Sequence, residues 1–223
     1  RRVLFRSIAL GVLASSGQIP ASPSDVLVLG ELSLDGRINA VKGALPIAVA
    51  ARRLGITALL LPSANAPEAA VVEGLAIAVV DSLAEAVEVL AHPEKARGAA
   101  LPPAPALPAR SVDLAEVRGQ ALVRRALEIA AAGAHHMLMV GPPGAGKTMI
   151  ARRLPSILPP MSFDEALDTS SIHSVMGTLP VGVGVLTERP FRAPHHTISS
   201  VALVGGGSQP RRSEEHTSEL QSR

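Results

Sequence analysis

The run Gly141-Pro142-Pro143-Gly144-Ala145-Gly146-Lys147-Thr148 holds residue types that can grip a phosphate chain. It fits the spacing glycine, four residues, Gly-Lys, then Ser or Thr. Gly141, Gly144 and Gly146 let the backbone turn sharply and approach an anion with no Cβ in the way. Successive N–H groups in such a turn point inward and form an anion nest. A helix starting at Lys147 adds its positive end to the same place. Lys147 is placed to neutralise the β- and γ-phosphates and is the candidate catalytic residue, and Thr148 is placed to ligate Mg²⁺. The chemistry implied is the binding of ATP or ADP with Mg²⁺ across residues 141–148.

Other candidates carry less. His195 and His196 are adjacent, and in extended backbone adjacent side chains point opposite ways, so they read as loop residues rather than a ligand pair. His135-His136 reads as a helix-to-strand connection. Arg118, Arg124, Arg125, Arg152 and Arg153 could line a DNA or subunit surface, but basic residues scattered on helices are more often solvated faces. The chain has no cysteine. That excludes disulfides, zinc–thiolate sites and cysteine nucleophiles, and fits a reducing cytosol.

A phosphate loop needs a strand before it and a helix after it. Residues 136–140 read as a buried strand, and 147–157 as a helix stopped by Pro159-Pro160. Upstream, 121–132 reads as a helix closed by Gly133. Downstream, 163–169 reads as a helix, followed by glycine-rich loops and a flexible turn at 202–207. A Pro/Ala-rich stretch at 98–109 favours extended backbone and reads as the core of an interdomain linker. Before it, strand and helix signals alternate: a strand at 25–30, a hairpin turning at Asp35-Gly36, a helix at 45–54 stopped by Gly55, and a strand at 56–61. A helix at 65–74, a strand at 76–80 and a helix capped by Ser82 follow. That order predicts an α/β unit with partly parallel pairing.

Apolar residues make up 47% of the 223-residue chain and aromatics 1%, so the core must be built from Ala, Val, Leu and Ile. No apolar run reaches the roughly 18 residues of a membrane helix, so no membrane partner is expected. The net charge of +2 resides at the ends. Residues 1–7 and 212–218 can be encoded by one DNA string read on its two strands, and the string resembles a sequencing adapter. Residues 1–7 and 212–223 are therefore read as foreign. Without them basic and acidic residues balance, and composition offers no argument for nucleic acid. The expected layout is a first domain at 8–95, a linker at 96–112 and a second domain at 113–211, with both native termini expected to be missing.

Asp113-Leu-Ala-Glu-Val-Arg-Gly-Gln120, a helix, a strand and the loop at 141–148 together resemble the entry to an AAA+ ATPase module. Arg189-Pro-Phe-Arg-Ala-Pro-His-His196 followed by Val204-Gly-Gly-Gly207 resembles the magnesium-chelatase-like branch. With the preceding Gly30-Glu-Leu-Ser-Leu-Asp-Gly36 domain, nearly all of residues 8–211 resemble the YifB/ComM family of bacterial competence-associated proteins. The resemblance implies an α/β fold in which a truncated Lon-protease-like domain precedes the N-terminal part of an AAA+ domain. It implies a homo-hexameric ATP-driven ring in the bacterial cytoplasm, acting on DNA as a translocase in branch migration during natural transformation and recombination. It also implies that Val117, Gly119 and Gln120 lie by the adenine.

The sequence departs from the AAA+ pattern after the loop. Catalysis there needs an acidic pair ending an apolar strand, and the acids present, Asp164, Glu165, Asp168 and Glu188, end none. Hydrolysis is therefore expected of the intact parent and not of this stretch. Lon-like peptidases use a serine and a lysine. Their lysine position falls at Leu45 or Pro46, Lys42 comes about three residues early, and Ser15 and Ser16 have no visible base. Competing readings are a chelatase subunit that drives metal insertion, a peptidase or unfoldase, and a nucleotide-binding module without motor activity.

Overall fold

A computed structural model describes residues 4–19, 25–99 and 112–193. Most of the Pro/Ala-rich stretch, His195 and His196, the turn at 202–207 and the run 212–223 lie outside the described residues. The chain divides into two units, one formed by residues 1–108 with 161–187, the other by 109–160 with 188–223.

The first unit is built on a central strand whose two faces are both covered. It runs through helix α1 (Leu4–Ser15), strand β1 (Val26–Val28), the hairpin strands β2 (Glu31–Leu32) and β3 (Ile38–Asn39), helix α2 (Ala44–Arg53) and strand β4 (Ala58–Leu61). Helix α3 (Ala66–Ala69), strand β5 (Ala76–Val79), helix α4 (Leu83–Ala91) and strand β6 (Arg97–Gly98) follow. The main sheet has the order β1-β4-β5-β6, with β1, β4 and β5 parallel and β6 antiparallel. Because side chains alternate along a strand, Leu60 of β4 joins one core with Leu10, Val28, Ala78, Val80, Ala86 and Leu90. Its neighbours Leu59 and Leu61 join another with Leu29, Leu45, Ala48, Ala69 and Val72. An uninterrupted apolar run is what a strand buried on both faces requires.

Local signals set most boundaries. The Ser82 hydroxyl accepts from the Glu85 amide at 3.2 Å and starts α4. Gly55 follows α2 at φ 79°, where a side chain would be strained. The expected helix at 65–74 is shorter: a 3-10 turn at Ser63–Asn65 leads into α3, which ends at Ala69. Two β-branched valines follow, and Asn65 is turned inward to bond both the N–H and the C=O of Val41 at 2.9 Å.

The second unit opens with a 3-10 turn at Leu114–Glu116, capped by Asp113, whose carboxylate accepts from the Ala115 amide at 2.9 Å. Helix α5 (Ala121–Gly133) and helix α6 (Lys147–Ala151) follow. Leu114, Val117, Leu127 and Ile150 form the core, with Met137, Met139, Leu154 and Ile157 packed against it. Three expectations are corrected here. Residues 136–140 pair with no strand among the described residues. They still alternate like one: Met137 and Met139 pack inward, while Leu138 and Val140 are 88% and 87% exposed. A buried strand needs neighbours along its edges and over its outer face, and the described residues of this unit supply neither. The helix expected to reach 157 stops at Ala151 and resumes as a 3-10 turn at Leu154–Ile157. Pro155 has no N–H to give and disfavours helical backbone at Leu154. Helix α5 is closed by Ala134 in the left-handed region at φ 51°, not by Gly133. Gly133 stays helical, and the His135 ring lies where its Cβ would be.

Helix α7 (Phe163–Met176) returns to the first unit and packs on α2. It is twice the expected length of 163–169. Thr169, Ser170 and Ser171 are poor helix formers on their own. Ser170 is held there by a bond from outside the helix: its Oγ accepts from Leu186 N at 2.8 Å while donating to Ala166 O, one turn back, at 2.6 Å. Ser162 and Glu165 form a reciprocal capping box at the start. Gly177, at φ 70°, ends the helix with Gly177 N bonded to Ser174 O and Thr178 N to His173 O. The segment 161–187, expected within the second domain at 113–211, groups with the first unit here, where Leu167 packs on the Leu45–Leu59 cluster.

Candidate phosphate-binding site

Ile150, 2% exposed, roots α6 in the core of the second unit, and everything chemical lies in the residues just before it. Gly144 and Gly146 sit at φ 80° and 79°, a region where side chains are strained. A Cβ at Gly144 would meet nothing within 4 Å, so the glycine serves the turn and leaves its concave side open. A Cβ at Gly141 would meet Ala145 Cβ at 3.8 Å, and one at Gly146 would meet Met149 Cε at 3.5 Å and Gln120 Nε2 at 3.8 Å. Ala145 N closes the turn on Pro142 O at 3.3 Å.

The Lys147 ammonium folds back over this turn. Its Nζ donates to Gly141 O and to Pro142 O, each at 2.8 Å. The cation is therefore held over the loop by two carbonyl dipoles rather than by a carboxylate. Gly146 is the residue preceding α6, and no side chain caps that end, so the first amides of the helix have no side-chain acceptor. Thr148 is exposed beside them, as are Gly141, Pro142, Pro143, Gly144 and Ala145; Gly146 and Lys147 are half-buried. One ammonium, a set of amide donors and a hydroxyl, with no carboxylate in the loop, form a donor set that fits a polyphosphate carrying Mg²⁺. Among the described residues no cluster of three or more His, Asp or Glu could hold a metal. The Thr148 hydroxyl is the group in this loop that could meet a Mg²⁺ accompanying the phosphates.

The segment read as the base-side wall reaches the same loop. Gly119 lies at φ 71°, and Gln120 occupies the left-handed region at φ 49°, ψ 42°. Among the described residues only Gln120 and Ala134 adopt positive φ without being glycine. Such a conformation costs about 1–2 kcal/mol. In Gln120 it brings the side-chain amide alongside Gly146.

The arginines divide. Arg118 and Arg152 are exposed, and Arg125 pairs with Glu128 along α5 at 3.1 Å, as solvated faces do. Arg153 corrects that reading: its side chain is 16% exposed and bonds Glu116 at 2.8 Å. Sequence spacing had no means of separating it from Arg152. The acids that follow the loop have other places. Asp164, Glu165 and Asp168 lie on α7 in the first unit, and Glu165 is engaged in the capping box. The serines considered for peptidase chemistry turn back on α1, with Ser15 Oγ donating to Val12 O and Ser16 Oγ to Leu13 O. The end of the Lys42 side chain lies against Gly177.

Two family models match the chain. One, described as magnesium chelatase, subunit ChlI, covers residues 113–218. The other, described as subunit ChlI of Mg-chelatase, covers residues 6–65. An uncharacterized protein of Mycobacterium tuberculosis is 44% identical over 203 residues, which are 91% of this chain and 40% of that protein. Competence protein ComM of Haemophilus influenzae is 38% identical over 214 residues, 92% of this chain and 41% of its own length. An uncharacterized protein YifB of Escherichia coli is 38% identical over 204 residues, 91% and 40%. The chain thus spans about two fifths of the length of the curated relatives it matches.

Proposed function

Since the chain belongs to the YifB/ComM family of magnesium-chelatase-like proteins, we propose that it carries the ATP-gripping part of an AAA+-type motor. Residues 141–148 hold the phosphates of ATP or ADP, with Lys147 as the countercharge, the loop amides as donors and Thr148 on the Mg²⁺ side. The observation that carries this reading is the Lys147 ammonium fixed on the Gly141 and Pro142 carbonyls above a turn of uncapped amides. A phosphate oxygen offers that ammonium a full negative charge in place of two carbonyl dipoles, which adds ion-pair attraction to the hydrogen bond. Gly119 and Gln120 border the base side. When bound, Mg²⁺ supplies charge neutralisation at the phosphates.

In the longer protein the grip serves ATP hydrolysis by a bacterial hexameric ring that translocates DNA in competence and recombination. The name of the Haemophilus relative, competence protein ComM, supports the competence role. Hydrolysis belongs to that longer protein, because none of Asp164, Glu165, Asp168 and Glu188 ends an apolar strand run. The test is MgATP binding and turnover by the full-length protein, with and without branched DNA. ATP affinity that Lys147→Ala abolishes, and turnover that DNA raises, are the expected results. Turnover indifferent to DNA would remove the translocase part and leave the ATPase.

A second reading has its own support: both family models are described by a chelatase subunit. A motor driving metal insertion into a tetrapyrrole would show turnover that responds to the porphyrin-bearing partner and not to DNA.

A further inference from the structure

Resting on the nucleotide-binding reading above, we propose that Arg153 is a positioning residue that fixes the 113–120 segment against the phosphate loop. Three nitrogens of its guanidinium meet three acceptors. Nε donates to Asp113 O at 3.2 Å, Nη1 to Met149 O at 3.0 Å and Nη2 to the Glu116 carboxylate at 2.8 Å. Met149 is the third residue of α6, two after Lys147. Asp113 and Glu116 frame the 3-10 turn that leads to Gly119 and Gln120. One planar side chain therefore joins the helix that starts the phosphate grip to the segment that ends beside Gly146.

A second side chain, from the 3-10 turn Leu154–Ile157 that Arg153 precedes, works with it. Ser156 Oγ accepts from Leu114 N at 3.1 Å and donates to Arg153 O at 2.7 Å. Leu114 and Val117, 4% and 3% exposed, supply the apolar half of the attachment. The far end of the segment is then placed: three residues past Val117, the Gln120 amide lies 3.8 Å from the Cβ position of Gly146. Gln120 holds a left-handed conformation there, and such a conformation persists only where the surroundings over-determine it. Arg153 and Ser156 hold the segment 113–116 that leads to it. The consequence is a division of labour. The loop amides, Lys147 and Thr148 grip the triphosphate without help from Arg153. The part of the nucleotide beyond the triphosphate meets a wall whose position depends on it. A lysine at 153 cannot replace the guanidinium, since a point ammonium does not span three acceptors in a fixed fork.

The experiment compares two probes on the full-length protein, MgATP and inorganic tripolyphosphate with Mg²⁺, by titration calorimetry. In Arg153→Ala the ATP dissociation constant should rise about tenfold, equivalent to roughly 1.4 kcal/mol, while that for tripolyphosphate stays within about twofold. Arg153→Lys should recover part of the loss. Ser156→Ala should give the same split at about threefold, and it carries the test if Arg153→Ala does not fold. Equal weakening of both probes, or of neither, overturns the positioning role. A wild-type protein that binds neither probe overturns the nucleotide reading itself, and a wild-type that binds both with Arg153→Ala unchanged overturns only this inference.

Discussion

Replacing Glu68 with alanine should loosen α7 from the first unit, and the size of the effect follows from its bonds. Glu68 is 9% exposed. One carboxylate oxygen accepts from Ser174 Oγ of α7 at 2.5 Å, and the other accepts from Asn65 Nδ2 at 2.5 Å. Ser174 is 3% exposed, so its hydroxyl has no ready access to water once the carboxylate is gone. Asn65 keeps its two bonds to Val41. Hydrogen bonds to charged groups are worth about 1.5–3 kcal/mol net, and a stranded buried donor costs about 1–3 kcal/mol. Relief from burying the carboxylate offsets part of this. The expected loss for Glu68→Ala is therefore about 2–4 kcal/mol, and about 1–2 kcal/mol for Ser174→Ala, which leaves the Asn65 bond in place. The chain contains no Trp and no Tyr, so urea unfolding is best followed by far-UV circular dichroism. A double-mutant cycle of Glu68→Ala with Ser174→Ala should give a coupling of about 0.5–3 kcal/mol. A midpoint for Glu68→Ala within about 0.5 kcal/mol of wild type, or additive single effects, would refute the idea that this carboxylate anchors α7.

Four further outcomes are expected. Lys147→Ala should weaken MgATP binding at least about a hundredfold, close to 2.8 kcal/mol, with an unchanged melting temperature, since its Nζ bonds only carbonyls of its own loop. Gly146→Ala should lower ATP affinity and cost about 1 kcal/mol of stability, because it sits at φ 79° with Met149 Cε 3.5 Å from the new methyl group. Gly177→Ala should destabilise the first unit by about 1–2 kcal/mol, as the left-handed end of α7 has the Lys42 side chain at 2.7 Å, measured by the shift in urea midpoint. On the surface, the hydrogen bond and charge of Lys95 hold the Glu88 carboxyl below its ordinary value, and Glu88 holds Lys95 above its own. What this pair adds is present at neutral pH. It fades as acid protonates Glu88 below the usual carboxylate range, and again as alkali deprotonates Lys95 above the usual lysine range. Carbon-detected NMR titration of Lys95→Ala should show Glu88 returning toward its ordinary value.

The turn at 141–148 was legible because its geometry is local. Glycines at left-handed positions, a lysine at the helix start and a threonine after it lie within eight consecutive residues, and the fold needs to add little beyond rooting Ile150. The α/β alternation of the first unit was legible for a related reason. An apolar run such as Ala58–Leu61 bounded by Gly55 and Pro62, or a serine three residues before Glu85, sets its own conformation through side-chain periodicity and capping. Helix α7 was only half visible, since its second half is written in serines whose helical state depends on partners far along the chain, with Glu68 and Ser174 separated by 106 positions.

Sequence alone therefore determined the features that each stretch decides with its nearest neighbours: the glycine turn at 141–148, much of the strand-and-helix order and the caps. Tertiary structure alone decided where residues 161–187 pack, that 136–140 pairs with no strand among the described residues, and that Arg153 rather than Arg152 is half-buried and bonded to Glu116. The physical reason is that hydrogen bonds and burial between distant segments carry no periodicity in the sequence. A buried serine and a solvated one, or two adjacent arginines, are written identically until the fold chooses which one loses its water.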